Sequence, residues 1–253
     1  MKFNLFPSTV AIQIVRCIES AVGDDIQADI TRNNLRTTNS VPFRIWDFLN
    51  KNLLETLDAQ GCCVSTAYRG PWQMVVIYEE TTGSLITLMR EKRFAELKRA
   101  QKRRSHMHYV DMLPKMFNAE LLSDCDQQTF MPKEFADENN LAALVQQLLR
   151  DLVSDVSVVQ NHIMVLFDTS GYQVTQVRAV MITPNLDVAE GCEADWTKYI
   201  SSTESLVVAQ VDNPEAPANN PHRGLKLKAK AAERQQSNVR IRQADDSAYI
   251  ENK

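Results

Sequence analysis

Glycine is scarce in this chain, with seven residues in 253. That scarcity argues against enzymes that cradle phosphates in glycine-rich loops, and neither a G-x-x-x-x-G-K pattern nor a dinucleotide fingerprint occurs. Cysteine is sparse and odd in number, at five, with no C-x-x-C spacing. A disulfide framework or a zinc site is therefore not expected, and the thiols read as buried and reduced. No apolar run approaches the ~20 residues that a membrane helix needs. The opening stretch MKFNLFPSTVAIQIVRCIES is broken by Pro7, Gln13 and Arg16, and no small-residue cleavage site follows it. The cytoplasm is the expected location. G-x-S-x-G nucleophile motifs are absent, and no cofactor is expected.

Histidine is also rare, with four residues. His106 and His108 lie two apart and would diverge on a helix. No Cys or carboxylate spacing completes a ligand set around them, so no metal is expected. His162 sits at an apolar strand start and reads as a hydrogen-bonded structural residue.

The most informative stretch runs from Trp72 to Phe117. An apolar β-branched segment over 74–78, a Thr-Thr-Gly turn at 81–83 and a second apolar segment over 84–89 predict a β-hairpin, with Gly83 supplying the positive φ of its turn. The near-continuous apolar character implies strands covered on both faces. From Arg90 to Arg104 the chain then carries eight Lys or Arg against two Glu. Phe94 and Leu97 give this segment one buried helical stripe.

Along the chain, Ser8 is expected to cap a helix over 9–22 with Val10, Ile14, Cys17 and Ala21 inward, ended by Gly23-Asp24-Asp25. Residues 26–41 read as polar loop. Ser40 and Pro42 predict the start of a helix with Phe43, Trp46, Leu49 and Leu53 in its apolar stripe. Strands are expected at 62–68, 73–80 and 84–90, followed by the basic helix and a segment that Pro114 kinks or restarts. Met112, Leu113, Met116 and Phe117 read as core. Residues 123–139 read as a surface connection and 140–154 as an amphipathic helix with Leu141, Leu144, Leu148 and Leu152 on one face. Strands at 158–167 and 172–182, a short helix at 193–200 and a strand at 206–211 complete the folded part.

The two hairpin sequences, IYEETTGSLIT and LFDTSGYQVT, echo one another. A diverged duplication with halves 1–122 and 136–212 would explain this, and so would chance recurrence of a common turn grammar. The expected architecture is α+β: a mixed or antiparallel sheet built from two hairpins, packed by helices, in a single domain over 1–212. Apolar periodicity is lost after Asp212, and residues 213–253 read as a disordered basic tail. Net charge is −4 but unevenly spread, since the segments 90–104 and 221–242 each carry +6 and the remainder carries −16.

Three resemblances bear on activity. The helix, three strands and helix over 42–104 resemble the core of the restriction-endonuclease-like fold. That likeness implies an Asp near the second strand and Glu-x-Lys on the third, holding Mg²⁺ for phosphodiester hydrolysis. Here the second strand ends in Glu79-Glu80 and the third in Arg90-Glu91-Lys92, so the pattern is not met. Arg103-x4-His108, followed by Tyr109, resembles the Arg-x4-His pattern of the higher-eukaryote-and-prokaryote nucleotide-binding ribonuclease superfamily. It implies metal-free catalysis in which Arg103 holds a phosphate and His108 carries a proton. That superfamily is all-helical, whereas this chain is rich in strands. Finally, NNLRTTNSVPFRIWDFLNKNL, LITLMREKRF and MHYVDMLPKMFN resemble an uncharacterised bacterial family of unknown function over roughly residues 30–210. This resemblance implies an α/β fold, a prophage, phage-defence or toxin-like setting, and a shared cluster of Asn34, Arg44, Trp46, Asp47, Arg90, Arg93, His108 and Tyr109.

The expected function is nucleic-acid binding, to RNA or DNA, through Arg90, Lys92, Arg93, Lys98, Arg99, Lys102, Arg103 and Arg104. Lys98, Arg99, Lys102 and Arg103 are expected on two adjacent i,i+4 rows of one helix. The alternatives are a protein-interaction factor whose basic helix docks on an acidic partner, and a metal-free or degenerate nuclease.

Overall fold

The architecture follows from two apolar faces on one sheet. A computed structural model describes residues 7–34, 36–57, 61–69, 72–104, 107–121 and 140–201. The expectations for His106, 123–139, 206–211 and the 213–253 tail lie outside these residues. The described residues fall in one unit, Met1–Ser202, and the second unit, Thr203–Lys253, lies outside them.

The element order is α1 (Ser8–Ser20), a π-helical turn (Ala21–Asp25), α2 (Ile26–Arg32), α3 (Val41–Leu57), β1 (Cys62–Arg69), β2 (Trp72–Glu79), β3 (Ser84–Arg90) and α4 (Glu91–Ala100). There follow a 3₁₀ turn (Gln101–Arg103), α5 (Tyr109–Phe117), α6 (Leu141–Leu149), β4 (Asn161–Ser170), β5 (Gln173–Ile182) and β6 (Val188–Asp195). The fold is α+β. Among the described residues six strands form one mixed sheet in chain order, antiparallel throughout except for the parallel seam between β3 and β4. Both expected hairpins are present. Because β3 and β4 run the same way, the turn before β3 and the turn after β4 lie at opposite ends of the sheet.

Alternation along the strands sends one set of side chains to each face. Val75, Ile77, Ile86, Leu88, Ile163, Val165 and Phe167 pack with α1, α2 and α3. Val76, Leu85, Met89, Met164, Leu166 and Val180 pack with α4, α5 and α6 on the other face. With both faces covered, β3 is buried along its length except at Arg90, which is why its sequence shows no polar alternation.

Several expectations need correction. Ser8 is the first helical residue, and the N-cap is Pro7, without a side-chain cap bond. Gly23-Asp24-Asp25 does not end the first helix. The backbone widens to a π turn and continues to Arg32, because Ala21, Val22 and Ile26 are all fully buried. The Asp25 carboxylate takes the Ser20 hydroxyl at 2.9 Å and the Asn52 amide at 2.7 Å, so this apparent breaker is spent on tertiary bonds. In α3 the buried stripe is Val41, Ile45, Leu49, Leu53 and Leu57, and Phe43 is 58% exposed. Pro114 sits inside α5, which runs on to Phe117. The buried face of α6 is centred on Val145, Leu148 and Leu149. Most of 193–200 is not helical. Its first residues end β6, which pairs with β5, and only Thr197–Tyr199 form a 3₁₀ turn.

Asn118, just after α5, ties the helical layer to the sheet. Its amide donates to the carbonyls of His162 at 2.8 Å and Ile182 at 2.9 Å, and its Oδ1 accepts from the His162 N–H at 2.9 Å. The β4–β5 pairing reaches only Met164–Val180; beyond it a side-chain amide bridges the two strands. Among the described residues no helix is long and apolar enough to cross a membrane.

Candidate nucleic-acid interface

The basic segment divides at Arg90. Arg90 is the last residue of β3 and the N-cap of α4, in extended conformation. Its guanidinium lies over the Phe167 ring, 6.0 Å from the centroid. Burial pulls its pKa below the ordinary arginine value, partly offset by Asp168. It is therefore not part of the helix surface.

α4 lies across the second face of the sheet. Phe94 and Leu97 are its buried residues, as the sequence indicates. Complete burial of two such side chains contributes roughly 1.5–3 kcal/mol each. The start of α4 is fixed by a two-pronged bond from Arg178 on β5 to Glu91, at 3.0 and 2.5 Å. The same Arg178 reaches Glu193 on β6 at 2.8 Å. The bond to Glu91 is the main reason that the Arg178 pKa is raised. Glu91 also suits the positive end of the helix dipole. The far end of the segment is held by Lys98 on Asp187 at 2.6 Å and by the Gln101 amide on the Pro184 carbonyl at 3.1 Å.

The eight expected nucleic-acid contacts thus separate by environment. Lys98 is paired to Asp187, Arg93 to Glu96 at 3.1 Å and Arg104 to Asp111 at 2.5 Å. Lys92, Arg99, Lys102 and Arg103 are exposed and have no ion pair among the described residues. The two i,i+4 rows are not realised, because the α-helix stops at Ala100 and 101–103 form a 3₁₀ turn. Lys92 and Arg99 are seven apart, so they fall within about 20° of each other around the helix, opposite Phe94 and Leu97. Lys102 and Arg103 extend the charge beyond the helix end.

The residues proposed for ribonuclease chemistry are not gathered into an open site. Arg103 is exposed, whereas His108 and Tyr109 are buried. His108 is the N-cap of α5: its Nδ1 accepts from the Val110 N–H at 3.2 Å, and its own N–H donates to Asp111 at 3.0 Å. Its ring lies 4.6 Å from that of Tyr109. The His108 and Asp111 side chains form a capping box, a role usually filled by Ser or Thr with Glu.

The carboxylates at the end of β2 are likewise separated from Arg90-Glu91-Lys92. Glu79 pairs with Ser84 beside the turn, while Arg90 ends the strand, about 20 Å away at roughly 3.3 Å per residue. Glu79 is buried and accepts from the N–H groups of Thr81 and Thr82 at 3.0 and 2.9 Å and from the Thr82 hydroxyl. Among the described residues, no three of His, Cys, Asp and Glu come together as a metal-binding group.

The cluster of the third resemblance is distributed as well. Trp46 packs edge-on against Phe167 at 5.8 Å, the same ring that Arg90 lies over. Arg44 binds Asp29, Asn34 has a positive φ of 45°, and His108 and Tyr109 belong to the opposite layer. Sequence reasoning missed Arg178, whose Val-Arg-Ala context gives no hint of the carboxylates it gathers from α4 and β6. No curated protein and no solved structure matches the chain. A family model does match, over residues 4–243, and the chain belongs to that family, DUF5986, a family of unknown function.

Proposed function

We propose that the protein binds nucleic acid through Lys92, Arg99, Lys102 and Arg103, on α4 and the turn that follows it. The observation that carries this reading is that these four cations are exposed and unpaired among the described residues, on an element anchored by Phe94, Leu97 and the Glu91–Arg178 bond. An anchored element pays little ordering entropy when it meets a phosphate backbone. Each cation seated on a phosphate releases condensed counterions, which is the main driving force of sequence-independent binding.

The test is fluorescence anisotropy of labelled DNA and RNA across salt concentrations, with circular dichroism as the fold control. Changing all four residues to Gln is expected to flatten the slope of log K against log salt by roughly three to four units on duplex DNA, and by somewhat less on single strands. An absence of binding at low salt, or an unchanged slope in the variant, would overturn the proposal and leave an acidic protein as the partner of this surface.

A further inference from the structure

A second surface differs in both chemistry and place. Between α3 and the first strands lies an open groove of about 510 Å³, lined by Phe43, Trp46, Asp47, Asn50, Trp72 and Gln73, with Lys51 and Glu55 also at its wall. Phe43 and Trp72 meet edge to face at 5.8 Å, yet they remain 58% and 40% exposed. Large aromatic side chains seldom stand this open beside one another unless they meet a ligand or partner. Asn50 places its Oδ1 3.3 Å from the Val75 N–H, which fixes the amide at the groove wall.

The charge of the groove selects its guest. Lys51 faces Glu55 at 3.9 Å, which leaves the exposed Asp47 carboxylate without a partner among the described residues. An excess negative charge repels a phosphate backbone and attracts a cation. Three aromatic rings beside that carboxylate suit a planar guanidinium, which stacks on ring faces and forks onto a carboxylate. Thr66, on β1, completes the wall. Among the described residues β1 pairs only with β2 and presents its other edge unpaired, to which an extended chain can add by backbone bonds. Tyr68, on the same strand, is 56% exposed.

We infer that this groove binds an extended, arginine-bearing segment of a partner protein, with the arginine guanidinium stacked on the exposed aromatic surface of Phe43, Trp46 and Trp72 and against Asp47. This site is separate from the basic surface of α4 and does not depend on nucleic-acid binding there.

Trp46 and Trp72 report on the groove directly, since the third tryptophan, Trp196, is buried in the core. The full-length chain is titrated, with tryptophan emission as the readout, with a blocked pentapeptide carrying a central arginine between two valines. The same peptide with glutamate in place of arginine and a short oligothymidylate are titrated alongside. Saturable quenching by the arginine peptide is expected, with affinity for the glutamate peptide lower by about tenfold or more. Asp47→Asn, an exposed change, should weaken the arginine peptide by about fivefold or more while leaving the circular dichroism unchanged. The inference is overturned if the arginine peptide gives no saturable change, if both peptides bind alike, or if Asp47→Asn binds as well as the parent. Saturable quenching by the oligonucleotide alone overturns it too, and assigns the groove to nucleic acid.

Discussion

Asn118 holds both backbone groups of His162: its amide donates to the His162 carbonyl and its Oδ1 accepts the His162 N–H. A third bond, to the Ile182 carbonyl, makes it a clamp between the start of β4 and the end of β5. Buried backbone groups left without partners cost about 1–3 kcal/mol each. Asn118→Leu is therefore expected to destabilise the protein by roughly 3 kcal/mol or more. Asn118→Asp retains only the acceptor and should also be costly. Urea unfolding measures both, and a loss below about 1 kcal/mol would remove the clamp from this account.

His162 itself is fully buried, with its Nε2 2.9 Å from the Thr87 hydroxyl. Burial lowers its pKa from 6.5 to about 3. The folded form thus resists a proton that the unfolded chain accepts. The stability contributed by a neutral His162 is complete above pH 6.5 and falls as the pH drops from there towards 3, by up to about 1.4 kcal/mol per pH unit. Between pH 7 and 5 the native protein should lose about 2 kcal/mol more than His162→Gln. Equal pH dependence of the two urea midpoints would contradict this.

Two glycines separate backbone strain from collision. Gly83 (φ 64°) and Gly171 (φ 59°) both occupy left-handed turn positions. A Cβ on Gly171 would meet nothing within 4 Å, whereas one on Gly83 would lie 2.6 Å from Gln160 Cγ and 3.3 Å from the Val158 carbonyl. Gly171→Ala should cost about 1 kcal/mol, from the backbone alone. Gly83→Ala should cost clearly more, because the turn also receives the Gln160 N–H at 2.8 Å. Thermal melts of the two variants provide the comparison, and equal losses would show that Gln160 and Val158 yield without cost.

For His108 the structure and the ribonuclease resemblance lead to opposite outcomes. As a helix cap it should contribute about 1 kcal/mol, lost in His108→Ala and largely restored in His108→Asn, which can accept the same N–H. As a proton carrier its removal would abolish RNA cleavage without moving the melt. Melting and cleavage measured on the same two variants distinguish these roles.

The strands over 72–90 were legible because doubly covered strands write an unbroken apolar run. The inward face of α4 was legible because Phe94 and Leu97 obey helical spacing. The π turn was not, since Gly-Asp-Asp carries a stop composition that only the burial of Ile26 and the bond from Asn52 overrule. β6 read partly as helix because an edge strand alternates weakly, and its pairing with β5 cannot be seen locally. A count of basic residues cannot reveal that Lys98 is neutralised by Asp187, far along the chain. Nor can it place Phe43, which has the spacing of a core residue, at the mouth of a groove.

The parallel seam between β3 and β4 also governs how the chain must be made. Each antiparallel meander closes locally, whereas the seam waits for a closure spanning all of residues 91–160. A nascent chain that has emerged only as far as α4 therefore carries β3, the most thoroughly buried strand of the finished sheet, as an open apolar edge. That edge is sealed only when β4 arrives, so the interval of synthesis between these two strands is when the chain is most exposed to mispairing with its neighbours on the polysome.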